Sequence, residues 1–527
     1  MRKNLIAVAA SVIVTVGLPV TLGTPPGSAA APEAPAGTPA TIPALQEWTP
    51  ATGAFTLRAD PRVVVAHEDA DALGAEAHLL ATDLARMTTT TPSVATGAVP
   101  RPGDVVLSLD PDPTLGTEGY RLDVGDTFAI TAPTTTGAFY GGRSLIQLMR
   151  QGTTVPAGAA TDQPRYPDRG LMVDAGRRYF PPSFYHRQIR QMAYLKLNLL
   201  HLHLSDDAGL GVESTRHPES VAPQHLTKDE IRDIVELAQQ HHIRVMPEID
   251  MPGHMTGILR SHPELQLRNA FGQPQASRLD VTSPSARAFA RDLIDELLPL
   301  FPDAEWHIGA DEYMPAYEYP LHPALATYAR KKFGLFSNGK DAVHDFVNEM
   351  AAHLRANGRA PRIWNDDAGG GFAVRLDPRI VVEWWTDFTP LSGLIPPSPQ
   401  RLLDRGHRVL NNGWWPTYYA ARGLPAPDFN QAYDKWRVHD FYGTLYYNST
   451  IQAPPQSVRP DEPDNLGSKL AIWSDGPVMT DQQILDGSLI GLRVVAQKTW
   501  KSPSPAGYDR FVAIATAIGD APGTAED

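Results

Sequence analysis

From residue 164 onward the chain alternates short apolar runs ending in polar residues with amphipathic stretches of helical length. The runs are Gly170–Asp174, Leu197–Leu204, Arg244–Ile249, Glu305–Ile308, Arg362–Asn365, Ile380–Trp384, Arg408–Asn411 and Leu470–Trp473. Strands covered on both faces read as continuous apolar runs, and strand–helix alternation calls for parallel pairing. Eight such units predict an α/β architecture, a closed (β/α)8 TIM barrel over 164–520, with a doubly wound open sheet as the competing arrangement. Ahead of it, residues 46–163 carry strand-like runs (Arg62–Ala66, Asp104–Leu109, Tyr120–Val124, Thr127–Thr131) and two helical stretches (Ala70–Met87, Thr135–Arg150), the pattern of a small α+β domain. Pro164 and Pro167 mark the junction between the two parts.

The N-terminus has a different pattern. Arg2 and Lys3 precede an apolar run from Leu5 to Leu22, and small residues follow at Gly27-Ser28-Ala29-Ala30-Ala31. This predicts a secretory signal peptide over residues 1–30 and an extracellular destination. A membrane anchor is the alternative, but Ser11, Thr15, Gly17 and Pro19 interrupt the run. Residues 31–45, rich in Ala, Pro, Gly and Thr, are expected to form a flexible leader.

Composition narrows the chemistry. There is no cysteine among the 527 residues, so disulfides, thiolate metal sites and cysteine nucleophiles are excluded. The formal charge of −13 disfavours nucleic acid and anionic membranes as partners, and losing Arg2 and Lys3 with the signal peptide takes it to −15.

Active sites of such barrels lie at the C-terminal ends of the strands. There the sequence places Asp174, Arg177, Asp206, Asp207, Glu248, Asp250, His254, Asp311, Glu312, Asp366, Asp367, Glu383 to Trp385, Trp414 to Tyr419, Trp473 and Asp475. Carboxylates and a guanidinium bind hydroxyls, while indole faces stack on the apolar face of a pyranose. Taken singly, each has a plainer reading as a helix cap or a core residue. In Trp306-His307-Ile308-Gly309-Ala310-Asp311-Glu312, adjacent acids can serve one site only where the strand has ended and the backbone turns, and Gly309 and Ala310 permit that turn. Paired carboxylates raise one another's pKa, which suits general-acid work.

Four motifs, Arg169 to Arg177, His201 to Asp207, Pro247 to His254 and His307 to Glu312, together resemble the family 20 glycoside hydrolases, the β-N-acetylhexosaminidases. Gly116 to Tyr120 and Gly137 to Gly141 extend the resemblance more weakly into the preceding domain. The resemblance implies that Glu312 is the general acid/base and that Asp311 positions the substrate's own acetamido group. Arg177 would grip the 3- and 4-hydroxyls, helped by Asp206, and His254 (with Asp250 behind it) and His307 would support the acid pair. Trp364, Trp385 and Trp473 would wall the ring, and Tyr418 or Tyr419 would bind the acetamido oxygen. The implied partners are N-acetylhexosamine-terminated oligosaccharides or glycoconjugates, with no cofactor and no metal.

Two departures leave the length of the released unit open. Trp473-Ser474-Asp475 ends one methylene short of the family's commoner glutamate, which bears on the 4- and 6-hydroxyl contacts. Ala208 to Glu213 lacks the usual tryptophan. Both features are similar to the lacto-N-biosidase branch, which releases a disaccharide. Two readings of another class compete: a metal-dependent amidohydrolase built on His201-Leu202-His203, and a non-catalytic sugar-binding protein.

Overall fold

The computed structural model describes residues 37–525, except 89, 389–395, 423–425, 448–451, 501 and 504–506. The expected signal peptide lies outside the described residues, as does 31–36 of the leader. No helix among the described residues is long and apolar enough to cross a membrane.

The N-terminal sheet has seven strands in the order Trp48–Thr56, Thr154–Asp162, Tyr120–Val124, Phe128–Ala132, Val105–Leu109, Arg62–Val65, Ser93–Thr96. The pairings of its first four strands are antiparallel and the rest are parallel. Helices Ala70–Ala85 and Thr135–Met149 pack against it. The second can lie close because it presents glycines: a Cβ at Gly137 would fall 2.2 Å from the carbonyl oxygen of Gly119, and one at Gly141 would fall 2.4 Å from a methyl of Ile130. Residues 41–45 are not the flexible leader the sequence suggested. Thr41, Ile42 and Leu45 are fully buried, and Gln147 and Gln497 hydrogen-bond the backbone of Ile42 and Ala44. Two apolar side chains and satisfied backbone groups are enough to order a short segment that its composition alone would leave free.

The barrel closes on itself. Its strands are β1 Asp168–Asp174, β2 Leu199–His203, β3 Arg244–Met251, β4 Glu305–Gly309, β5 Ala360–Trp364, β6 Val381–Trp384, β7 Val409–Asn411 and β8 Asn465–Ile472, each parallel to the next, with β8 returning to β1. Helix does not follow every strand as the pattern implied: the β5–β6 connection, residues 365–380, is made of turns alone. In that interval Gly369-Gly370-Gly371 and Pro378 forbid a sustained helix.

The inward-facing positions of the strands carry charge. At the base, Arg362 lies 2.9 Å from Asp168 and 3.4 Å from Glu305, and Arg244 pairs with the same two acids. One layer up, Arg362 also reaches Glu383 at 3.3 Å, Glu383 pairs with Lys469, and the Lys469 ammonium lies 2.5 Å from His201. His201 and His307 lie 2.9 and 3.0 Å from the two oxygens of Glu248. Burial opposes every charge here, yet Lys469 and its neighbours hold Glu383 down at about 2 and the two arginines hold Asp168 at about 2.

Removing one partner of a buried pair strands the other. Lys469→Met should therefore lower stability by about 3–5 kcal/mol, read as a drop in the urea midpoint, and adding Glu383→Gln should restore part of it. An unchanged midpoint in the single variant would mean that Glu383 is not held by this ammonium.

Candidate active site

Strand β4 ends at Gly309, and the chain then turns through three residues with positive φ, Gly309 at 80°, Ala310 at 64° and Glu312 at 45°. Any side chain at position 309 would be driven into Asp250, since a Cβ there would lie 1.8 Å from its carboxylate. Left-handed backbone at two non-glycine residues is costly, and its neighbours hold it in place: Ala310 N–H donates to Met251 O, Glu312 N–H to Asp366 at 2.8 Å and Tyr313 N–H to Asp367 at 3.2 Å. The turn brings Asp311 and Glu312 to the same place. His254, itself at φ 52°, lies 3.7 Å from the carboxylate of Asp311 and 3.5 Å from that of Glu312.

The other side of His254 faces Asp206 at 3.5 Å. Asp206 in turn pairs with Arg177 at 2.7 Å, and Arg177 also pairs with Asp174. The guanidinium lies 5.2 Å from the centre of the Trp473 ring. Aromatic walls complete the cavity, which encloses about 130 Å³ and is lined by Arg177, Asp311, Glu312, Trp364, Trp385, Trp414, Tyr418, Trp473 and Asp475 among others. These rings belong to an apolar cluster separate from the main core. Trp364 donates its indole N–H to Glu248 and Trp385 donates to Asp366, so both rings are fixed by acids beneath them.

The two acids differ in setting. Asp311 is the more deeply buried; that burial, together with the charges of Asp366, Glu248 and Glu312, pushes it up to about 7 against the pull of His254. Burial and the nearby Asp311 likewise push Asp250 well above the usual carboxylate range, and neither of its oxygens has a hydrogen-bond partner. Burial also works against a charged His254, but the carboxylates of Asp206 and Glu312, each 3.5 Å from the ring, and the charge of Asp311 outweigh it and keep the imidazole well above its ordinary value. Asp311 and Asp250 are both raised, and burial is the largest cause in each.

The structure separates residues that the sequence grouped. Tyr418 stacks on Trp385 (6.2 Å between centroids, 14° between planes) inside the cavity, whereas the Tyr419 hydroxyl points at Gly487 on the helix Asp481–Trp500. Consecutive residues on a strand face opposite ways, and Tyr419 is the one turned out. His307, expected beside the acid pair, lies lower in the barrel against Glu248 and Trp364, because it occupies an inward position one layer beneath the rim. His201 and His203 do not form the open pair a metal hydrolase would use: the Lys469 ammonium and Glu248 engage His201, and Asp174 engages His203 at 2.9 Å. Asp366 was noted only as a strand-end acid, yet it fixes both Glu312 and Trp385 and is itself pushed up to about 6, chiefly by burial. Trp414 and Arg422 also line the cavity. The doublet Asp366-Asp367 at the end of β5 was the available signal for Asp366, and Trp414 stood in the aromatic run after β7; the loop carrying Arg422 offered none.

The chain is 32% identical over 476 residues to a lacto-N-biosidase of Bifidobacterium bifidum, across 89% of this chain and 40% of that protein. It is 27% identical over 376 residues to beta-hexosaminidase subunit A1 of Dictyostelium discoideum, across 68% of this chain and 65% of that one, so it spans less than two thirds of either relative. In fold it resembles a GH20 exo beta-N-acetylglucosaminidase from Vibrio harveyi, with a TM-score of 0.71 and 21% identity over 92% of this chain and 78% of the other. Residues 166–501 match the catalytic domain of glycosyl hydrolase family 20 and residues 38–163 match domain 2 of the same family, and on those two matches the chain belongs to glycosyl hydrolase family 20.

Proposed function

We propose that the protein is a secreted, retaining glycoside hydrolase that releases a terminal β-linked N-acetylhexosamine unit by substrate-assisted catalysis. The observation that carries this reading is the unequal acid pair: Asp311 buried and Glu312 more exposed, both within 3.7 Å of His254 and both facing a cavity walled by indoles. Glu312, on the open side, is placed to protonate the leaving oxygen. Asp311, against the wall, is placed to hold the N–H of the 2-acetamido group while its carbonyl oxygen attacks C1. An oxazolinium forms as the leaving group departs with the proton, and Asp311 offsets its positive charge. Glu312 then takes a proton from water as that water opens the ring, so the anomeric configuration is kept. Asp366 does not compete as a nucleophile, because its oxygens accept from Glu312 N–H and the Trp385 indole. Secretion rests on the charged, apolar and small-residue succession of residues 1–31.

A second reading, release of a disaccharide by the same chemistry, is favoured by the relation to the lacto-N-biosidase and by Asp475. The Asp475 carboxylate accepts the backbone N–H of Arg422 and lines the cavity where a longer glutamate would reach further in.

Replacing Glu312 with Gln should lower turnover on alkyl glycosides by about 10²–10⁴-fold and much less on dinitrophenyl glycosides, whose leaving group needs no proton. Asp311→Asn should cost about 10²–10³-fold on both. Successive fluorination of the substrate's acetyl group should slow the wild type steeply, and a flat series would remove the acetamido nucleophile. Release of nitrophenol from the N-acetylglucosaminide, N-acetylgalactosaminide and lacto-N-bioside separates the two readings: turnover confined to the last would establish the disaccharide.

Stability gives an independent check on Asp311. A carboxyl raised from 3.8 to about 7 on folding holds more protons in the folded state between those values, so stability falls as pH rises through that window. Asp311→Asn removes the penalty. The variant should therefore be more stable than the wild type at pH 8 by on the order of a few kcal/mol, seen as a higher melting point, with the gap closing as pH falls below 4. A lower melting point at pH 8 would contradict the raised carboxyl.

A further inference from the structure

The geometry points to a divalent transition-metal site on the outside of the barrel, formed by His217, Glu219 and His262 and suited to zinc. His217 and Glu219 lie in the segment between β2 and the helix Lys228–Gln240, and His262 lies in the segment after β3. Both imidazoles pack against Phe289 of the helix Pro284–Leu297, at 4.7 and 4.9 Å between centroids. One oxygen of Glu219 sits between them, 3.5 Å from His217 Nδ1 and 2.8 Å from His262 Nε2, and one ligand atom from each residue falls within 4.8 Å of the others.

What distinguishes this group from chance proximity is the far side of each ring. His217 Nε2 lies 2.8 Å from Asp292, and His262 Nδ1 lies 3.4 Å from Glu264. Each imidazole thus has one nitrogen turned toward Glu219 and the other against a second carboxylate, the outer arrangement that fixes ring orientation and raises basicity in metal sites. Arg216, next to His217 in the chain, is paired with Asp292. Three ligands of N₂O type leave a fourth position to water, and zinc accepts that set tetrahedrally at about 2.0–2.2 Å. At those bond lengths neighbouring ligand atoms stand about 3.3 Å apart. Measured from the Glu219 oxygen, His217 Nδ1 at 3.5 Å already has this spacing, and His262 Nε2 at 2.8 Å would withdraw by a few tenths of an ångström.

The other histidine–acid groups among the described residues are already engaged. Lys469 lies against His201, Trp364 donates to Glu248, and Arg177 pairs with Asp206. A metal at the outer group would tie together the segments after β2 and β3, which meet again where Ser220 Oγ donates to Ile258 O and Thr256 N–H donates to Asp207, one residue from Asp206. Its role would be to brace these loops.

The test is calorimetric titration of untagged full-length protein with Zn²⁺, alongside melting curves with and without the ion. One site per chain is expected, with a rise in melting temperature. Binding should weaken by at least about a hundredfold in His217→Gln/His262→Gln and by about 10–100-fold in Asp292→Asn, which removes no ligand. Cobalt substituted for zinc should give intense visible bands that vanish in the double variant. Absence of one-to-one binding, or binding unchanged in the double variant while the protein remains folded, would overturn the assignment.

Discussion

The structure depends most on a carboxylate in the middle of the barrel. Glu248 is completely buried and is flanked by His201, His307 and the indole N–H of Trp364; burial alone would neutralise it, yet the surrounding donors hold it well below the ordinary range. The pairs below it, Lys469 with Glu383 and Arg362 with Asp168, continue the chain of opposite charges to the base. Such a lumen stabilises less than a packed hydrocarbon one of equal volume, but it tolerates little rearrangement, since any shift leaves an ion without its partner. The upper end of this chain is where the substrate would lie, so Trp364 stands on a floor fixed by ionic geometry.

From that floor the site gains its asymmetry. Asp311 and Glu312 are neighbours in sequence, but the left-handed turn at Gly309 and Ala310 places one against the wall and one toward solvent. Asp250 beneath them is a carboxyl with no hydrogen-bond donor, close to Asp206 and His254. Raised carboxyls, strained backbone and unsatisfied oxygens collect within a few residues of one another, a concentration usual where binding energy is withheld from folding and reserved for a ligand.

How much of this was legible follows from the period-two rule. The eight strands announced themselves because parallel strands covered on both faces read as apolar runs, and the two helices of the first domain were read from their own helical periodicity. The edge strand Trp48–Thr56 and its neighbour Thr154–Asp162 were not, since one is mostly exposed and the other is rich in Ala, Gly and Thr beneath Trp48. Arg362, Glu383 and Lys469 could be seen in the sequence but were not read as a lumen network, because one strand shows only its own charge and never the partner supplied by another. The adjacent tyrosines illustrate the same limit: alternation says that one of Tyr418 and Tyr419 faces inward, and only the register with β8 says which.

The first domain bears on the site through this same base. Glu118 forms two hydrogen bonds with Arg169, at 2.8 and 2.9 Å, and Asp162 receives both Lys196 and the Trp500 indole N–H. These acids come from the sheet domain and its last strand, while Arg169, Lys196 and Trp500 belong to the barrel. The contact therefore completes charges that the barrel alone would leave buried and unpaired. A barrel cut away from residues 38–163 would expose or strand two cations at its base, one of them beside Asp168, which anchors Arg362. The domain with no residue in the cavity is thus part of what keeps the cavity's floor in register.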